Sequence, residues 1–100
     1  MRLSQLLEGV EAQIEGSDPE IVDVRERAGE VQPGDLLVVV SGSSDGHAAV
    51  KEAAERGARA IVIEWPVPFA GARALVPSAK AALEQITVNL KATIKDVSRP

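Results

Sequence analysis

Cysteine is absent from the chain, and histidine occurs once, at His47. Disulfides, thiolate metal sites and cysteine nucleophiles are thereby excluded, and a lone imidazole cannot build a histidine-based zinc site. Aromatic residues are nearly as scarce. Trp65 and Phe69 are the whole complement, so there is no platform on which nucleic-acid bases could stack. The net charge of -4 argues against nucleic acid as well, since nonspecific binding to phosphates requires an excess of Lys and Arg. No apolar run approaches the length of a membrane span, and the N-terminus lacks the long apolar core of a signal peptide. No metal, cofactor, nucleic-acid or membrane partner is therefore expected, and the expected location is the cytoplasm.

What is present is aliphatic. One hundred residues make one domain, and the Ala, Val, Ile and Leu content predicts a core in which helices sit close to a sheet. The organising stretch is Val31 to Glu64. Leu36 to Val40 is an unbroken apolar run, the pattern of a strand covered on both faces. Ser41 to Gly46 supplies turn formers, Val50, Ala53 and Ala54 recur at helical spacing, and Gly57 stands where a left-handed C-cap belongs. Ala60 to Ile63 is a second strand-length run. The reading is a βαβ unit at the centre of a single α/β domain spanning residues 1–100, with a mixed, mostly parallel sheet and helices packed on it.

Around this unit, Ser4 is expected to cap a short helix carrying Leu3, Leu6 and Leu7. Val10 to Ile14 and Ile21 to Val24 are two extended segments that can pair as a hairpin around Ser17-Asp18-Pro19. Arg25 to Glu30 reads as loop. Two prolines interrupt Trp65 to Gly71, whose aromatic pair is expected to cover the sheet edge. Ala72 to Val76 forms a further strand, and Ser78 caps a helix expected to reach about Lys95, leaving 95–100 as a linker-like tail.

In a sheet of this kind ligands bind beyond the carboxyl ends of strands, which directs attention to the loop Ser41 to His47. Gly42, Ser43, Ser44, Asp45 and Gly46 can present backbone N–H groups and hydroxyls to a phosphate or sugar beside a helix N-terminus. The same residues suit a second reading, in which Ser44 or Asp45 simply caps the helix. His47 has no nucleophile or orienting carboxylate identifiable in the sequence, so it reads as a solvent-facing histidine of the first helical turn. Arg25 and Arg27 flank a loop that can lie beside Ser41 to His47 and attract an anion. No nucleophile–base pair, carboxylate dyad or metal cluster can be assembled, and no catalytic residue is expected.

The run PGDLLVVVSGSSDGHAAVKEAAERGARAIVIE resembles the N-terminal domain of the Mur ligases, especially the UDP-N-acetylmuramoyl-tripeptide synthetases. The resemblance extends over nearly the whole chain. Its landmarks are Leu3 to Leu7, Pro33-Gly34-Asp35-Leu36, Asp45-Gly46-His47, Gly57-Ala58 and the strand–helix beginning at Ala74. It implies a domain that holds the uridine diphosphate end of a UDP-sugar-peptide, with Gly42, Ser43, Ser44, Asp45, Gly46 and His47 on one side and Ala28 and Gly29 opposite. It also implies that ATP binding and amino-acid ligation belong to ATPase and C-terminal ligase domains of a longer chain, so no activity is expected from this chain alone. The family usually carries Asp-Ser-Arg where this sequence reads Arg27-Ala28-Gly29. That departure supports an alternative: a degenerate or engineered α/β scaffold, or a protein-interaction module, that binds no nucleotide.

Overall fold

A computed structural model describes residues 2–40, 46–67 and 69–98. Helix α1 (Leu3–Leu6) is followed by strands β1 (Gln13–Glu15) and β2 (Val24–Arg25), then a 3-10 turn (Ala28–Glu30). Strand β3 (Leu36–Val38), helix α2 (Gly46–Glu55) and strand β4 (Ala60–Ile63) form the expected central unit. Strand β5 (Ala72–Leu75) and helix α3 (Ala79–Ser98) complete the order. Among the described residues the strands make one five-stranded sheet in the order β1-β5-β4-β3-β2. All neighbours are parallel except β1 and β5. The single mixed, mostly parallel α/β domain anticipated from the sequence is the fold observed.

Alternation along the strands sorts the core into two clusters. Leu36, Val38, Ala60 and Val62 face Leu3 and Leu6 of α1 and Ala79, Ala82 and Ile86 of α3. Leu37, Val39, Ile61 and Ile63 face Val50 and Ala53 of α2 together with Ala28 and Val31. Every residue of β3 and β4 is buried, which is why both strands are continuously apolar. Trp65 and Phe69 are half-buried against the second cluster instead of forming an exposed patch.

The amino ends of β3 and β4 are locked together. Gly34 and Gly57 both have positive φ, and Gly34 N–H donates to Gly57 O at 3.0 Å while Arg59 N–H donates to Asp35 O at 2.9 Å. A Cβ on Gly57 would stand 3.0 Å from Pro33 Cα, so neither the backbone angle nor the space admits a side chain. The Asp35 carboxylate, 1% exposed, accepts from Gln32 N–H at 2.9 Å and Arg25 Nε–H at 3.0 Å. A buried charge of this kind persists only when paired in this way.

Four expectations fail. The hairpin does not form: β1 pairs with β5, Gln13 opposite Leu75, while β2 pairs with β3 at the far side of the sheet, Val24 opposite Leu36. The turn that would have closed it is instead held by α1, since Leu3 N–H donates to Pro19 O at 3.0 Å and Ser4 N–H to Asp18 Oδ1 at 2.8 Å. Ser4 is not the cap of α1. Arg2 occupies that position with Gln5 Oε1 accepting its N–H, and Ser4 Oγ donates to Asp18 Oδ2 at 2.7 Å. Residues 25–30 are not wholly loop, because pairing with β3 and packing against α2 impose β2 and the 3-10 turn. Helix α3 is capped through Ser78 Oγ, which accepts from Ala81 N–H at 3.3 Å, and it runs through Ser98, beyond the Lys95 expected.

Two predictions follow from this packing. Ile61→Ala should lower the unfolding free energy by about 2–5 kcal/mol in a urea titration, whereas Val88→Ala should stay within about 0.5 kcal/mol, Ile61 being 0% and Val88 57% exposed. The bonds from Ser4 N–H and then Ser4 Oγ–H hold the Asp18 pKa below its ordinary value. Their stabilisation is complete at neutral pH and is lost as pH falls through that lowered pKa, below about 4. Asp18→Asn should therefore flatten the acid limb of a stability–pH profile.

Candidate functional site

The sheet's carboxyl edge is where its chemistry can lie, since the amino edge is consumed by the interlocked turns. The β3–β4 ladder continues one residue past β3, with Val39 N–H donating to Val62 O at 2.9 Å. Val40 is half-buried, and the chain re-enters as α2 at Gly46. Of the sequence-predicted site residues, Gly42, Ser43, Ser44 and Asp45 lie outside the described residues. Gly46 and His47 open α2 and are described by backbone position alone.

The opposing wall is brought to the same helix. The 3-10 turn packs on α2, with the Ala28 methyl buried in the cluster containing Val50 and Ala53. Gly29 lies outside this contact, where an added Cβ would be 3.7 Å from Glu52 Oε2. Ala28 therefore helps hold α2 in place, while Gly29 presents exposed backbone beside it. Arg25 does not serve as a free anion attractor. Its guanidinium is held by Asp35 at 3.0 Å and Asp23 at 3.3 Å, and the bond to Asp35, opposed by burial, raises its pKa further.

At the end of β4 stands a carboxylate whose role has no local signal in the sequence. Glu64 Oε2 accepts from Ala79 N–H at 2.6 Å, closing the N-terminus of α3 from a position fifteen residues earlier. On the open side of β5, Arg73 reaches Glu15 at 3.4 Å and the Val67 carbonyl at 3.5 Å, tying edge strand β1 to the aromatic loop. No group of three or more His, Asp or Glu side chains that could hold a metal occurs among the described residues. None of their helices is long and apolar enough to cross a membrane.

Comparison with known proteins bears on the family and the fold. No protein-family model matches the chain. A UDP-N-acetylmuramyl-tripeptide synthetase from Roseiflexus sp. (strain RS-1) is 40% identical over an alignment of 91 positions that covers 83% of this chain. This chain is a Mur ligase domain homologue. It spans 18% of the length of that synthetase. Among solved structures, MurF from Acinetobacter baumannii superposes with a TM-score of 0.71 at 18% identity, covering 86% of this chain and 20% of that one. A UDP-N-acetylmuramoylalanyl-D-glutamyl-2,6-diaminopimelate--D-alanyl-D-alanyl ligase from the same organism gives 0.69 at 19% identity, covering 82% of this chain and 19% of that one. At these identities the structural likeness establishes the α/β fold of a Mur ligase domain, while the synthetase carries the sequence relationship.

Glu64 supplies the test of how the carboxyl edge is held. Glu64→Ala removes the acceptor of Ala79 N–H and should destabilise the domain by about 1 kcal/mol, as loss of a helix cap does, read from the urea midpoint. Amide exchange should quicken first at Ala79 to Ala81.

Proposed function

We propose that the domain recognises the uridine diphosphate end of a UDP-N-acetylmuramoyl-peptide, as part of a peptidoglycan-precursor ligase acting in the cytoplasm. The observation that carries this reading is the 40% identity with a UDP-N-acetylmuramyl-tripeptide synthetase over 83% of the chain. The geometry supports it in two respects. Strand β3 is an inner strand, flanked by β4 and β2, so its carboxyl end opens in the body of the sheet and not at a border. The stretch from Gly42 to His47 joins that end to the start of α2, and the turn bearing Ala28 and Gly29 packs against the same helix.

The loss of the family's Asp-Ser-Arg side chains at Arg27-Ala28-Gly29 leaves backbone groups to do the binding on that wall. Helix α2 offers N–H groups and a positive dipole end, which suit a diphosphate. In this reading ATP binding and ligation belong to companion ATPase and C-terminal domains, and this domain contributes recognition only.

Titration of the chain with UDP, followed by backbone amide chemical shifts, tests the proposal. Changes should cluster on residues 41–47 and 28–29 and saturate with a dissociation constant of about 1 mM or below, equivalent to roughly 4 kcal/mol of binding. An unchanged spectrum at ten times that concentration would sink it in favour of a scaffold that binds no nucleotide.

A further inference from the structure

The two lateral edges of the sheet are finished differently. At β2, Leu36 N–H donates to Asp23 O, so Asp23 and Arg25 face β3 and Val24 faces outward. That outward N–H is already taken, because it donates to Asp23 Oδ1 at 2.8 Å. At β1 the outward backbone is open. Ala72 N–H donates to Arg59 O and Val76 N–H to Ile63 O, so the even-numbered residues of β5 turn toward β4, and Arg73 and Leu75 turn toward β1. Their partners Glu15 and Gln13 therefore face inward, and Ile14 between them directs its N–H and C=O out of the sheet. Neither group has a partner among the described residues, and all of β1 is exposed.

An edge with a free donor and a free acceptor is a template for a further strand. The side chains along it select the strand. Gln13 and Glu15 lie on the face of Leu75 and Arg73, and Glu11 borders the same hollow as Gln13 and Leu75. Glu15 reaches Arg73 at 3.4 Å, yet its side chain is 57% exposed, so a second cation has access to it. Ile14, in register with Ala74, lies on the opposite face and is 40% exposed. A strand laid beside β1 thus meets acidic neighbours on one face and an apolar one on the other, which lysine alternating with valine complements. A second copy of the chain does not, since pairing β1 with itself sets acidic strand against acidic strand in a molecule of net charge -4.

We propose that the outer side of β1 is a docking edge for an extended basic peptide segment, joined to Ile14 by backbone hydrogen bonds, with its cationic side chains beside Glu11 and Glu15. The edge is independent of the nucleotide reading, because β5 and β4 lie between β1 and β3.

Titration of the chain with the acetylated, amidated pentapeptide Lys-Val-Lys-Val-Lys tests it by backbone amide shifts. The amides of residues 12–16 should move in a saturable way. In the matching register the valine nitrogens face Ala12 and Ile14, so methylating both should abolish the response, and Glu-Val-Glu-Val-Glu should give none. Ile14→Pro removes the outward N–H at an edge position, where proline is tolerated, and should also abolish the response. The methylated peptide makes the same test without touching the fold. Glu11→Gln should weaken binding by about threefold, the factor expected of one exposed ion pair. The proposal is overturned if the lysine peptide moves no cluster at 12–16, or if the methylated or the acidic peptide moves it as strongly. It is equally overturned if either substitution leaves the response unchanged, or if these amides shift with protein concentration alone, which would assign the edge to a second copy.

Discussion

Strands β3 and β4 are buried on both faces, and that single constraint arranges the rest of the molecule. A strand with Leu36 and Val38 on one side and Leu37 and Val39 on the other gains nothing from water on either, so both sides must be covered. Helices α1 and α3 close one face. Helix α2, the 3-10 turn and the aromatic loop close the other. Polar chemistry is consequently pushed to the strand ends, and of these the amino end is taken up by Gly34, Asp35, Gly57 and Arg59 in mutual hydrogen bonds. What remains for a ligand is the carboxyl edge.

The features legible in the sequence are those whose cause is local or periodic. The apolar runs at 36–40 and 60–63, the helical spacing of Val50 and Ala53, the positive φ at Gly57 and the hydroxyl cap at Ser78 each follow from the residue and its near neighbours. The features that were illegible have partners far away in the chain. Residues 10–14 and 21–24 look like a hairpin because they are adjacent and extended, yet the uncovered edges of β5 and β3 compete for them and win. Asp18 sits in a turn sequence but serves α1, fourteen residues earlier. Nothing near Glu64 in the chain announces that its carboxylate closes a helix beginning at Ala79. The candidate site divides along the same line: the resemblance of Pro33-Gly34-Asp35 and Asp45-Gly46-His47 to a family marks the loop, while the engagement of Arg25 by Asp35 and Asp23 emerges only from the fold.

The two helix starts at the carboxyl edge are not alike in charge. A doubly wound sheet with helices beginning at the ends of β3 and β5 has two positive helix termini, and both would attract a phosphate if left alone. Here one of them is answered from within, by the Glu64 carboxylate at 2.6 Å from Ala79 N–H and by Ser78 beside it. Strand β4 separates β3 from β5, with Glu64 at the end of the strand between them. The same carboxylate therefore does two things. It holds α3 against the sheet, and it takes the acceptor's place at Ala79 N–H that an anion would otherwise fill.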